Sequence, residues 1–387
     1  MFLFERIIGI GTYSFTLIVF CFLMSRQKDY KKMKILSGVY IFALAAMAFA
    51  YVPYETADLY RVYGYIEAFE KYDFIDLWNT HVLNSQIGLA NIIYWLVGQA
   101  GIPQLLPFFT TIICYSCIFY IALRSAEKNG ISGGNLAIAL FFYMSTGNFM
   151  FVVSGIRCML GISLFAFCFF RENVEKKFNI LHIPLYIISA FIHYLAAVLI
   201  LMRFVIPIFD LKTTPVKRLF YWFVSGAGTL ISLIVFSDYI ENIMEKADSY
   251  LTGDMYSYVW EYVIGIIAAV VFVYLFTRKN RVMAGTNIKL NVWLIYDVIL
   301  LVVAVVFCYE FTIFHRLTTY IMPIISLPLM MTALENKSQA NALTRHAQHV
   351  SDVRIGMKQV ILILSAMLLA LACVRGTLSS LKFFIWQ

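Results

Sequence analysis

Arginine, histidine and carboxylate side chains that interrupt apolar sequence are the residues most able to do chemistry, because a lipid environment otherwise excludes them. Arg157 follows Ser154-Gly155-Ile156 in the middle of a long apolar stretch, and His193 sits within Phe191-Ile192-His193-Tyr194-Leu195-Ala196. Glu310, His315 and Arg316 punctuate a late apolar region, and Asp58, Tyr60, Arg61 and Tyr63 crowd an acidic, Tyr-rich stretch. Guanidinium groups offer planar, paired donors that suit phosphate, diphosphate or carboxylate. An aspartate or a histidine beside such an anion can orient a hydroxyl nucleophile or take its proton. Fixed arginines can also neutralise the charge that develops on a leaving diphosphate, without a metal. Each residue has a plainer reading as well: a snorkelling Arg157, a packed core His193, an interfacial Arg316, a helix-capping Asp58. The tyrosines can serve as an interface belt or as stacking faces for sugars.

Such residues share a pocket only if the elements around them bring them to one depth. The chain has 387 residues, 61% hydrophobic and 13% charged, with a mean hydropathy of +0.80. Soluble domains run about 45–50% apolar and about 25% charged. This balance excludes a cytosolic enzyme, a nucleic-acid-binding protein and a secreted domain, and it predicts an all-α polytopic membrane protein. Clear spans are 7–24, 35–52, 104–123, 135–153, 219–236, 262–277, 291–308, 317–333 and 359–374; with the irregular segments the expected total is about 10–13 transmembrane helices. Met1–Met24 reads as a first span and not as a cleavable signal. No repeat or Pro/Gly-rich linker divides the sequence, so 1–387 reads as a single integral membrane domain.

Lys and Arg collect on the cytoplasmic side of membrane proteins. Segment 25–34 carries five basic residues and one acid, whereas 53–80 carries six acids and two basic residues. The first is therefore expected inside and the second outside. By the same argument 209–218, 278–289 and 334–358 lie inside, as do the short loops 124–132 and 171–177, and 237–261 lies outside. Because 171–177 and 209–218 are both inside, the apolar segment 180–207 must go out and return within a length too short for two full spans. It is expected to be a broken hairpin with His193 at its tip, tolerated where irregular backbone is buried in protein or lines a wet cavity. Segment 82–100, dotted with Asn84, Gln86, Asn91 and Gln99, is expected to be interfacial or re-entrant. On this topology Asp58, Arg61, Arg157, His193 and Arg316 come to one outer depth. Arg203 and Asp297 are expected as internal pairing partners, and 375–387 falls outside by parity despite Arg375 and Lys382.

Cys114 and Cys117 form a CxxC, yet all seven cysteines lie in apolar runs and read as small packing residues. The chain has no GxxxxGK[ST] and no HExxH, and no carboxylate pair invites a divalent ion, so no metal and no cofactor are expected. Nucleic acid is not an expected partner; the lipid bilayer and a lipid-borne phosphate are.

Three ordered motifs carry a resemblance: Glu55-Thr56-Ala57-Asp58-Leu59-Tyr60-Arg61-Val62-Tyr63, then Ser154-Gly155-Ile156-Arg157, then Phe191-Ile192-His193-Tyr194-Leu195-Ala196. A late Arg316-xxx-Tyr320 leads into a Pro-containing span. With this order and spacing the chain resembles the EpsG family of exopolysaccharide-synthesis membrane proteins, related to Wzy-type polysaccharide polymerases; Cys158 stands where that family usually has Gln. The resemblance implies a GT-C-like helical fold in the bacterial cytoplasmic membrane. It also implies assembly of surface glycan from undecaprenyl-diphosphate-linked oligosaccharides on the outer face, with a flippase and a chain-length regulator of the same pathway as candidate partners. On that expectation Arg157 and Arg316 bind the donor diphosphate and His193 or Asp58 handles the acceptor hydroxyl. Arg61, Tyr60, Tyr63, Tyr320 and Glu310 would position sugars. A glycan ligase of the same fold, a polysaccharide flippase and a membrane O-acyltransferase stand as alternatives. The missing second copy of the 135–207 pattern counts against a transporter. The outer placement of His193 counts against an acyltransferase fed from the cytosol.

Overall fold

The computed structural model describes residues 2–383 except 84, 86–87, 176, 210–213, 236–261, 272–290, 307–313, 335–345, 375–377 and 379–380. The outer loop 237–261, the inner loop 278–289 and Glu310 lie outside the described residues. The described chain is nearly all helical. Four helices form the first half of the bundle: α1 (Phe2–Ser25), α2 (Tyr30–Ala50), α6 (Leu105–Asn129) and α7 (Gly133–Ser145). Between α2 and α6 lie three short helices, α3 (Asp58–Phe69), α4 (Phe74–Leu77) and α5 (Gly88–Gln99). Then follow α8 (Asn148–Ser154), α9 (Ile156–Asn173), α10 (His182–Ile192), α11 (Tyr194–Phe209) and α12 (Pro215–Val235). The last are α13 (Tyr262–Val271), α14 (Asn291–Val306), α15 (Met322–Leu334) and α16 (His346–Val374).

Among the described residues, Phe4–Ser25, Tyr30–Ala50 and Leu105–Asn129 are long and apolar enough to cross a membrane. Segment 135–153, expected as one span, is instead α7 and α8 joined at a 57° bend. The cause is local. Gly147 has φ +78°, and Thr146 Oγ1 and Asn148 Nδ2 both donate to the Tyr143 carbonyl, so the break leaves that oxygen satisfied. Segment 82–100 contains α5, whose 12 residues rise about 18 Å, short of a bilayer core. Its Trp95 and Gln99 side chains donate to the carbonyls of Tyr72 and Glu70, fastening it to the end of α3. The acidic stretch read as an outer loop is helical because Leu59, Val62, Ile66 and Phe69 repeat at helical spacing and are all buried.

One end of the bundle gathers the basic loops. Tyr30 donates to the Ala126 and Ile131 carbonyls, Lys34 pairs with Glu127 at 3.4 Å, and Gly133 packs directly on the Met24 and Gln27 carbonyls. Glu175, whose side chain has no exposed surface, takes Arg124 at 2.9 Å, Lys128 at 3.6 Å, Arg171 at 3.7 Å and the Tyr120 hydroxyl at 2.8 Å. Burial pushes the Glu175 carboxyl up, but the bonds from Tyr120 and Arg124 and the Lys128 charge outweigh it and hold the group below the usual carboxylate range. The opposite end gathers Val52, whose N–H donates to the Lys382 carbonyl, and Tyr51, which bridges to Phe383. Lys382, whose charge argued against placing the C-terminal segment there, is neutralised at 2.9 Å by Glu5 at the start of α1.

α10 and α11 form a hairpin with His193 as the non-helical residue between them. Both arms return to α9: the Tyr186 hydroxyl donates to Glu172 at 3.1 Å, and Arg203 pairs with the same carboxylate while lying 5.1 Å over the Tyr186 ring. Arg203 is thus an internal pairing partner, with Glu172 as its acid.

Candidate functional site

Three helix irregularities meet at the end of the bundle away from the basic loops. Arg157 lies in the first turn of α9, just after the break at Gly155. His193 is the hairpin tip. Arg316 opens a π-helical turn, Arg316–Ile321, that runs into α15; such turns are rare and concentrate at functional sites.

Gly161 explains how the tip is held. It stands one turn after Arg157 on the same face of α9. A Cβ at Gly161 would lie 3.2 Å from both the Ala196 Cβ and the Ser189 carbonyl oxygen, and 3.4 Å from the His193 Cβ. Any side chain there would push the tip back by a few tenths of an ångström, and the Ser189 hydroxyl seals the approach by donating to the Gly161 carbonyl at 2.7 Å. The His193 side chain therefore packs against the turn that follows Arg157. It is 8% exposed, and Arg316 and Arg157 are among the charged groups near enough to act on its ring. Its Nδ1 accepts the Leu195 N–H at 3.2 Å, so in the neutral ring the proton sits on Nε2.

Asp58 is the first residue of α3 and pairs with Arg61; their side chains are 58% and 65% exposed. The Leu59 N–H donates to Ser154 Oγ at 3.4 Å, which ties this end of α3 to the residue just before the Gly155 break. Asp58 acts together with Arg157 and Arg316 on Cys158, and together with Arg157 on Tyr94. The structure thus brings Asp58, Arg157, His193 and Arg316 to one region, from four separate stretches of sequence. Among the described residues no carboxylate pairs with Arg157, and no group of three His, Cys, Asp or Glu is arranged to hold a metal ion.

Tyr60 projects outward and Tyr63 is half-buried on α3. Tyr320 is placed differently. Its ring packs on Phe151 at a centroid distance of 3.7 Å and on His315 at 5.3 Å, and His315 in turn meets Thr319 Oγ1 at 3.2 Å. One face of Tyr320 is therefore occupied by protein, and with His315 it backs the Arg316 turn. Tyr94, Gly161 and Ser189 went unnoticed in the sequence because they are small or lie inside runs whose apolar content hides them; the polar dotting of 82–100 was the only sign of Tyr94.

The model of the EpsG family matches residues 60–344, most of the chain and nearly all of the region just described. The chain belongs to the EpsG family. No curated protein and no solved structure matches it. Membership gives this EpsG-family protein a polysaccharide-polymerase-type role in exopolysaccharide synthesis, carried out by a multi-pass membrane protein on lipid-linked polysaccharide substrates.

Proposed function

We propose that this EpsG-family protein is a metal-independent glycosyltransferase of the GT-C kind, acting on undecaprenyl-diphosphate-linked oligosaccharides at the outer face of the bacterial cytoplasmic membrane. Arg157 and Arg316 hold the donor diphosphate. The bond from the sugar's anomeric carbon to the phosphate oxygen breaks, and a bond to a hydroxyl oxygen of the incoming lipid-linked unit forms. The hydroxyl's proton passes to a protein base, and undecaprenyl diphosphate leaves with the bonding electrons.

The single observation that carries this reading is that Arg157 and Arg316, 159 positions apart in sequence, stand on two helix irregularities that pack together beside the His193 tip, Arg157 one turn before Gly161 and Arg316 in the turn whose Tyr320 and His315 rest on Phe151 of α8. Two guanidiniums in one region, with no carboxylate on Arg157 among the described residues, suit a dianionic ligand, and the N-terminus of α9 adds its own positive end. The Leu195 bond to Nδ1 favours His193 as a donor, through Nε2, to a phosphate oxygen. That leaves Asp58, exposed at the rim and adjacent to Arg61, as the group that orients and deprotonates the acceptor. The outer position follows from charge: the loops 25–34, 124–132 and 171–177 share the opposite end, and the excess of Lys and Arg marks that end as cytoplasmic. Arg61, Tyr60 and Tyr63 line the approach as sugar contacts, and Tyr320 supports Arg316. A flippase and a chain-length regulator are the pathway partners this reaction would need.

The test is elongation by the purified protein in detergent, where transport has no meaning, using lipid-linked oligosaccharide from cells lacking the protein. Wild type lengthens it, and Arg157→Ala and Arg316→Ala do not, at unchanged protein levels in the membrane. Long chains from both variants would remove the diphosphate clamp.

A further inference from the structure

The C-terminal residues Leu381–Phe383 lie between the ends of α1 and α2 that face away from the basic loops. Glu5 and Gly9 stand one turn apart on the same face of α1. Glu5, 4% exposed, meets the Lys382 ammonium at 2.9 Å. A Cβ at Gly9 would collide with the Leu381 carbonyl, so helix and segment touch backbone to backbone there. On the other side the Val52 N–H donates to the Lys382 carbonyl at 2.9 Å, and Tyr51 bridges to Phe383. Tyr51, Leu378, Leu381 and Phe383 are all buried. The chain itself joins α1 to α2 at the opposite end, through 26–29; at this end the C-terminal segment joins them.

Val52 stands six residues before Asp58. Pro53 fixes the backbone of the first step, and the Ala57 N–H donates to the Tyr54 carbonyl at 2.9 Å, closing the turn that delivers Asp58 as the first residue of α3. Beyond Asp58, the Leu59 N–H reaches Ser154 Oγ at 3.4 Å. The start of α3 is therefore attached on both sides, to the C-terminal segment through Val52 and to the residue before the Gly155 break through Leu59. Asp58 is more than half exposed, and its partner Arg61 belongs to the same helix, so the position of the helix start sets where the carboxylate stands. Glu5, Gly9, Tyr51, Val52 and Lys382 all lie outside residues 60–344 matched by the family model, so this attachment is an addition to what family membership gives.

We propose that the C-terminal segment is a strap and Lys382 a positioning residue for the acceptor side of the pocket. Its side chain holds Glu5 of α1 and its backbone holds Val52, and together they fix the junction from which Asp58 is presented. This inference rests on the role given to Asp58 above. Arg157, His193 and Arg316 are carried by α9, the hairpin tip and the turn before α15, so releasing the strap disturbs the acceptor side and leaves the diphosphate side in place.

Two variants release the strap by unrelated means. Lys382→Met leaves the buried Glu5 without its cation, and Gly9→Ala drives the Leu381 carbonyl away with no change of charge. Lys382→Arg keeps the ion pair and serves as the rescue. Each is purified as full-length protein in detergent, with rates normalised to folded protein from its melting curve. The measurements are kcat and acceptor KM for elongation, farnesyl diphosphate affinity by calorimetry, and hydrogen exchange over 51–61 and 186–196. Misplacing a catalytic group by about 1 Å costs roughly a hundredfold, so kcat should fall roughly tenfold or more in Lys382→Met and Gly9→Ala and recover in Lys382→Arg. Exchange should quicken over 51–61 and not at the hairpin tip, and farnesyl diphosphate affinity should stay at the wild-type value. A wild-type kcat in both folded variants, or unchanged exchange over 51–61, overturns the strap alone. Equal losses of kcat and of farnesyl diphosphate affinity show a general loosening and overturn the positioning role. An Asp58→Asn protein that elongates like wild type overturns the role of Asp58 and the strap's with it, and a wild type that elongates nothing overturns the polymerase reading on which both stand.

Discussion

Gly161 offers the sharpest perturbation of the site because it changes no charge and touches no ligand. Replacing it with alanine sets a methyl carbon 3.2 Å from the Ala196 Cβ and the Ser189 carbonyl, where ordinary contact begins near 3.4 Å, so the hairpin tip must retreat by a few tenths of an ångström. Overpacking of this kind costs about 1 kcal/mol for one methyl and about 3 kcal/mol for a larger side chain. Misplacing a catalytic group by about 1 Å costs roughly a hundredfold in rate. By that scale Gly161→Ala slows elongation about three- to fivefold, and Gly161→Leu slows it about a hundredfold by driving His193 away from the Arg157 turn. Gly38 on α2, with nothing within 4 Å of a built Cβ, supplies the control: Gly38→Ala leaves the rate unchanged and adds about 1 kcal/mol of helix stability. The assay is initial rate of chain extension by purified protein, normalised to folded protein from its melting curve. A Gly161→Leu protein that folds and extends chains at the wild-type rate would refute the claim that the closeness of tip and α9 sets the site.

The base of the hairpin should behave as a unit. Arg203→Ala leaves Glu172, about one-fifth exposed, without its cation, and lowers stability by about 2 kcal/mol; the charge exchange Glu172→Arg with Arg203→Glu recovers part of that in melting temperature and in elongation, whereas either reversal alone does not. Glu175 predicts an acid limit. Its carboxyl is held below the ordinary value of 4.5, so its contribution is fully present above that value and is lost as pH falls through the depressed folded value. Melting temperature in detergent should therefore drop on acidification below about pH 4.5, and Glu175→Gln should flatten that limb while lowering stability near neutrality; an unchanged limb would contradict the role given to this cluster.

The features that sequence made visible are those with a physical price in lipid. Arg157, His193 and Arg316 stood out because an apolar run excludes them, and parity of the basic loops forced 180–207 to turn back with His193 at its tip. Arg203 showed itself as a pairing residue for the same reason, although its partner Glu172 was hidden at the end of α9. The bend at Gly147 was missed within a strongly apolar window, even though Ser145-Thr146-Gly147-Asn148 is a polar island with a turn residue at its centre. The π-helical turn at Arg316 arises from one extra residue in the helix and leaves no trace in composition. Lys382 pulled against the parity argument in the sequence, which cannot say that a buried Glu5, at the other terminus, meets it. Gly161 holds the tip through proximity alone, and proximity is the quantity a single sequence encodes least directly.

The central claim is that Arg157, Arg316 and His193 act on one lipid-linked diphosphate. The most direct measurement is a set of double-mutant cycles on chain elongation with Arg157→Lys, Arg316→Lys and His193→Gln, substitutions that keep measurable activity. Residues sharing one ligand couple, typically by 0.5–3 kcal/mol. Each pair should therefore lose activity by about tenfold less than the product of its single losses. Strictly multiplicative losses in all three pairs would show that the residues work apart and would contradict the account.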